Sequence, residues 1–175
     1  MSITVKWGLI TGMVYVIFSL VNNMLGIQDG GGFTAKAILS NAALFGATLF
    51  TIYLGIKETR DTTGGGYINF GQCFRSGMGI TLITALVACV FTFVYLQFID
   101  PGFIDKIMAM TEEQWEANGM SEEQMDAARS YTTMLMTPWA FSLITILSVL
   151  FWGLVKSLIA GAILKTEAPP TVPTA

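Results

Sequence analysis

No histidine occurs in the 175 residues. That one gap removes His-ligated haem and zinc, Ser-His-Asp catalysis and a histidine proton relay. Charge is scarce too: 12% of the residues are Asp, Glu, Lys or Arg, against about 25% in a soluble globule. Cysteine is limited to Cys73 and Cys89. The helix expected between them holds the two roughly 24 Å apart, too far for a disulfide, which needs Cα atoms within about 7 Å. Both therefore read as small apolar packing residues. No metal-ligand spacing is present, so neither a metal nor a cofactor is expected. The net charge of −3 sets nucleic acid aside as a partner, because phosphate backbones select basic surfaces.

What the chain has instead is apolar length. Residues 7–27, 37–56, 77–99 and 138–164 are four largely uncharged stretches in a sequence that is 53% hydrophobic. Roughly 20 such residues, rising about 1.5 Å each in a helix, match a hydrocarbon core of about 30 Å. The expectation is all-α: a polytopic membrane protein with four transmembrane helices in one bundle domain, residues 1–167. The first stretch reads as a retained span, since Val21-Asn22-Asn23-Met24 offers no small-x-small cleavage site. With the N-terminus inside, the cytoplasmic side holds Lys6, Lys57, Arg60, Arg75, Lys156 and Lys165, and the outer side only Lys36, Lys106 and Arg129. The excess of Lys and Arg on one side thus favours cytoplasmic N- and C-termini.

The connections differ in character. Asp29-Gly30-Gly31-Gly32 reads as a flexible outer turn. Residues 100–137 form an extracytoplasmic insert with net charge −6, in which Thr111-Glu-Glu-Gln114 and Ser121-Glu-Glu-Gln124 both carry the capping-box pattern. Asn118-Gly119 can end one insert helix, a second runs from Glu122 into Met136, and Thr137-Pro138 forms an N-cap and N1 pair opening the last span. Ile104, Ile107, Met108 and Met110 interleave with charge in the manner of a surface-lying amphipathic helix. On the inner side, Tyr67, Phe70 and Phe74 make an aromatic stripe, read as a short interfacial helix turning into span three. Gly64-Gly65-Gly66 is no phosphate loop, because no Gly-Lys-Ser/Thr follows. The end, residues 168–175, reads as a disordered tail.

Few residues qualify as sites, and no catalytic residue is among them. Lys156 follows a long uncharged run and precedes another. It either snorkels to the headgroups or faces a partner or water-filled cavity within the membrane. Asn22, Asn23 and Gln97 are polar residues near the outer ends of spans one and three, suited to interhelical hydrogen bonds. Arg75 reads as a headgroup anchor. Stripes of small residues, Gly8 and Gly12 on span one, Gly77 on span three, and Gly153, Ser157 and Gly161 on span four, suit close helix packing within the bundle or between subunits. No Asp or Glu lies inside any stretch, which weighs against ion-coupled transport.

The run Gly65-Gly-Tyr-Ile-Asn-Phe-Gly-Gln-Cys-Phe-Arg-Ser-Gly77 carries a resemblance. So do Ile99-Asp-Pro101, the acidic insert and Ser157-Leu-Ile-Ala-Gly-Ala-Ile-Leu-Lys165. Over nearly the whole chain the sequence resembles the domain of unknown function 4199 family, small four-span proteins of the bacterial inner membrane common in Bacteroidota. The resemblance implies fold and location, and supplies no activity or catalytic residue. The expected role is a non-catalytic accessory or scaffold component, in contact with membrane lipid and with a further copy of itself or another membrane protein. A pore or carrier for a small solute or lipid, lined by Asn22, Asn23, Gln97 and Lys156, is the alternative.

Overall fold

The computed structural model describes residues 1–26 and 34–166. The Asp29-Gly32 turn, the end of the first apolar stretch at Ile27 and the 168–175 tail lie outside the described residues. Six α-helices follow in order: α1 (Ile3–Met24), α2 (Ala35–Thr63), α3 (Phe70–Val94), α4 (Phe103–Ala117), α5 (Glu122–Leu135) and α6 (Pro138–Leu164). A π-helical turn, Tyr95–Ile99, extends α3. Four of these helices are long and apolar enough to cross a membrane: Ile3–Met24, Ala35–Thr63, Phe70–Ile99 and Pro138–Leu164. Large apolar side chains such as Leu39, Phe50, Leu82 and Ile163 are exposed along them, as a surface meeting lipid requires.

Helix starts are set by side-chain caps. Ser2 Oγ accepts from Val5 N–H at 3.3 Å and Thr34 Oγ1 from Ala37 N–H at 3.2 Å. Thr137 Oγ1 accepts from Ala140 N–H at 3.2 Å, with Pro138 in the first helical position, where its missing N–H costs nothing. At α3, Asn69 Oδ1 accepts from Gln72 N–H (2.9 Å) while Gln72 Oε1 accepts from Asn69 N–H (3.0 Å). This reciprocal cap starts α3 at Phe70 and corrects the expectation of a separate interfacial helix through Tyr67. Phe70 and Phe74 ride on α3 itself. Tyr67 lies outside it, and Ile68 instead pairs its backbone with Thr166 at 2.9 and 2.8 Å.

The chain divides into two compact units, one of Met1–Val87 with Ser148–Ala175 and one of Ala88–Leu147. In the first, α1 and α2 run antiparallel. Lys6 Nζ meets the Glu58 carboxylate at 2.7 and 2.8 Å, the Thr11 and Thr51 hydroxyls lie 2.9 Å apart, and Ser40 donates to Asn22 Oδ1 at 2.6 Å. We call the end marked by Lys6–Glu58 and Ile68–Thr166 the base of this unit. A cluster of Ile52, Ile56, Ile68, Cys73, Ile80, Ala160 and Leu164 fills the centre, with Trp7, Leu49 and Tyr53 packed on it.

The second unit holds the hairpin of α4 and α5. Ser121 Oγ accepts from Gln124 N–H and Gln124 Oε1 from Ser121 N–H, so the second expected capping box forms. The first does not. Helix α4 begins at Phe103 and runs through Thr111, whose hydroxyl donates back to the Ile107 carbonyl at 2.7 Å. The apolar residues from Ile104 to Met110 already sustain helix there, and a residue inside a helix has no orphan amide to accept. Asn118 ends α4, and Gly119 makes the turn at φ +74°, a conformation costly for any residue with a Cβ. Arg129 on α5 reaches back to Glu112 on α4 at 2.7 Å and to Asp126 at 3.2 Å. The Phe93 and Trp139 rings meet at a tilt of 44°, with centroids 4.5 Å apart.

Candidate functional site

The small residues of α3 and α6 face one another in a three-step ladder. A Cβ built on Gly161 would lie 3.2 Å from Cys73 Cβ, and one on Gly77 would lie 2.5 Å from Ser157 Oγ. One on Gly153 would collide with Thr81, coming 2.5 Å from its Oγ1 and closer still to its Cγ2. Cys73, Gly77 and Thr81 ascend α3 in steps of four as Gly161, Ser157 and Gly153 descend α6, so the helices are antiparallel and each offers one face. On α1, a Cβ at Gly8 would lie 2.6 Å from Ile83 Cβ and one at Gly12 2.8 Å from Val87 Cβ. The Thr84 hydroxyl donates to the Gly8 carbonyl at 3.2 Å. All six small residues singled out in the sequence are thus used within the chain. Two buried hydroxyls on the α3–α6 ladder, Thr81 Oγ1 and Ser157 Oγ, make no hydrogen bond.

Within the first unit, Asn22 and Lys156 are not brought together. Asn22 is buried against Ser40, and Asn23 beside it is half-buried. Gln97 is exposed in the π-helical turn of the second unit, and Arg75 is exposed near the start of α3. Lys156 is half-buried, with its ammonium 4.9 Å from the centre of the Phe45 ring. Ser40 and Phe45 are five residues apart on α2, so about 140° of helical rotation separates them. Asn22 and Lys156 therefore meet different faces of α2.

The direction of Lys156 is the informative point. Its Cα lies eight residues before Leu164, about 12 Å along α6 from the base. Phe45 lies thirteen residues before Glu58, about 20 Å along α2 from the base. The ammonium therefore reaches away from the base, along the direction in which helical side chains lean toward their own N-terminus. Trp152, one turn before Lys156, meets the same Phe45 ring edge-on at 5.8 Å. Among the described residues no carboxylate lies within ion-pair distance of Lys156. A cation over an aromatic ring recovers about 0.5–2 kcal/mol, whereas a lysine near the centre of a span costs about 2.5–3.5 kcal/mol on insertion scales. The ring does not balance the charge.

A second cluster, at the base, escaped the sequence reading. Glu58 accepts from both Lys6 and the Trp7 indole N–H, the latter at 2.7 Å, and the Lys6 ammonium lies 5.4 Å from the Trp7 ring centre. The signal was available: Lys6-Trp7 and Glu58 flank two consecutive apolar stretches at ends that an antiparallel hairpin must bring together. Neither this cluster nor Lys156 gathers three metal-ligating side chains among the described residues.

Residues 6–166 match a family model described as Protein of unknown function (DUF4199). No curated protein and no solved structure matches the chain.

Proposed function

The chain belongs to the DUF4199 family of proteins of unknown function, and on that footing we propose a non-catalytic accessory or scaffold component of the bacterial inner membrane. It holds a partner through packed helices and an acidic helical cap. The observation that carries this reading is the α4–α5 hairpin, closed by Arg129 on Glu112 and capped at Ser121. It is a defined surface on which Glu113, Glu116, Glu122 and Glu123 are all exposed. The excess of Lys and Arg on the segments flanking the base supports a cytoplasmic base with both termini inside, and the acidity of α4 and α5 suits the outer side. A membrane-impermeant maleimide should then label Glu113→Cys in intact cells and leave Asp61→Cys unlabelled.

The direct test is purification from native membranes in mild detergent. A partner recovered at fixed stoichiometry, and lost on reversing Glu113, Glu116 and Glu123 to Lys, supports the reading. A stable, partnerless monomer sinks it. The second reading, a pore or carrier for a small solute or lipid, draws on the uncompensated Lys156 ammonium. It requires Lys156→Met to change flux in proteoliposomes.

A further inference from the structure

We propose that Lys156 is the anchor for a transmembrane helix of a partner protein that carries an aspartate or glutamate at mid-span. The inference rests on the scaffold reading above and names the chemistry of the partner. Lys156 lies on a helix with no other charged residue between Pro138 and Leu164, and its ammonium is aimed along the span over Phe45 rather than back to the base. A charge held at that depth pairs with an anion or lines a water-filled cavity, and the Phe45 and Trp152 rings beside the ammonium favour the anion. Among the described residues none is available. Glu58 is engaged by Lys6 and Trp7, Asp61 by Arg60, Asp100 by Lys106, and Glu112 and Asp126 by Arg129. The remaining described acids lie on α4 and α5.

Three sources of an anion compete. An anionic lipid holds its phosphate at the headgroups, outside a hydrocarbon core of about 30 Å, and Lys156 points away from the nearer end of its helix. A second copy of this chain brings no carboxylate within residues 7–27, 37–56, 77–99 or 138–164. A partner helix with one mid-span carboxylate meets both requirements, depth and sign. The surface beside the ammonium suits a helix. Trp152, Ile159 and Ile163 fall on the Lys156 side of α6 and are exposed. On α2, Gly46, next to Phe45, has nothing within 4 Å of the place its Cβ would take.

The test uses the full chain in nanodiscs of neutral phosphatidylcholine and a single-span Leu–Ala peptide of about 22 residues carrying one mid-span Asp. The same peptide with Asn in its place is the control, and association is read by energy transfer. Lys156→Met removes an unpaired charge and should fold at least as well as the wild type, and Lys156→Arg keeps the charge. The expected result is association of the Asp peptide about tenfold tighter than the Asn peptide with wild type and Lys156→Arg, and equal association of both peptides with Lys156→Met. Equal association of both peptides with the wild type overturns the proposal, as does an Asp preference that survives in Lys156→Met. Loss of the wild-type preference when phosphatidylglycerol replaces a third of the lipid also overturns it, in favour of a lipid anion. The scaffold reading fails separately, if wild-type protein leaves native membranes as a stable monomer without a partner.

Discussion

Replacing Gly153 by Ala should destabilise the protein, although alanine is the better helix former. The added Cβ meets Thr81 at three atoms, its Cγ2, its Oγ1 at 2.5 Å and its Cβ at 2.8 Å. Thr81 is buried and β-branched, so turning χ1 only exchanges one of these atoms for another. Carbon atoms settle about 3.5–4.0 Å apart, so α3 and α6 must separate by about 1 Å, and a gap of that size forfeits a quarter to a half of each dispersion well. The loss spreads along the ladder to Gly77–Ser157 and Cys73–Gly161. Overpacking of this kind costs about 1–3 kcal/mol, and the stiffness of Thr81 places it near the upper end. Alanine returns up to about 1 kcal/mol of helix propensity, which leaves a net loss of about 2 kcal/mol. Gly46→Ala provides the control. Nothing lies within 4 Å of its Cβ position, so only the propensity gain remains and the sign reverses. Unfolding followed by helical circular dichroism in mild detergent should therefore separate the two variants by about 3 kcal/mol. Adding Thr81→Ala to Gly153→Ala should recover about 1–2 kcal/mol of coupling. If the two glycine variants melt within about 0.5 kcal/mol of each other, below the expected range, the α3–α6 ladder is not packed as described.

The hairpin should respond to acid. Arg129 holds the Glu112 carboxyl below its ordinary value of 4.5 by donating a direct hydrogen bond to it, and Glu112 in turn raises the Arg129 guanidinium. The stabilisation is whole above pH 4.5 and is lost as pH falls through the lowered native value. Trp115 fluorescence should report α4 loosening below pH 4.5 in the wild type and no such step in Arg129→Gln. Ser121→Ala should cost about 1 kcal/mol through the lost cap, seen as faster hydrogen exchange in the first turn of α5. Thr111→Ala should leave exchange in α4 unchanged or slower, because Thr111 sits inside the helix and caps nothing. At the base, melting temperature should fall from wild type to Glu58→Gln to Glu58→Ala, since glutamine keeps an acceptor for the Trp7 indole and alanine keeps none.

Sequence periodicity and length were enough for the four long helices, because a span is a one-dimensional property of about 20 apolar residues. Small residues at steps of four on α3 and α6 were equally visible, yet which stripe met which was not. Cys73 against Gly161 and Thr81 against Gly153 are set by the antiparallel register of two helices separated by the whole α4–α5 hairpin. Local start signals divided in the same way. Ser121-x-x-Gln124 caps a helix and Thr111-x-x-Gln114 does not, although the two patterns are alike. What distinguishes them is the chain in front: Met120 and Ser121 follow the Gly119 turn, while the residues before Thr111 already form helix. The Asn69-x-x-Gln72 cap is masked in the sequence by the aromatic spacing of Tyr67, Phe70 and Phe74, which implies helix on both sides of Asn69.

Lys156 shows where a direction, rather than a distance, decides a reading. Counting residues places it about 12 Å from the end of α6, within reach of the headgroups for a long side chain, so by length alone snorkelling suffices. Snorkelling toward the C-terminal end of a helix, however, runs against the lean of every Cα–Cβ bond, which tilts toward the N-terminus. A lysine near the N-terminal end of a span reaches its nearer surface by following that lean; one near the C-terminal end must turn back on itself. The Lys156 ammonium follows the lean and comes to rest over Phe45, farther from the base than its own Cα. The same depth at the other end of a helix would carry no functional implication. At this end it leaves a cation facing the apolar part of the span, and that is the observation the proposed partner carboxylate answers.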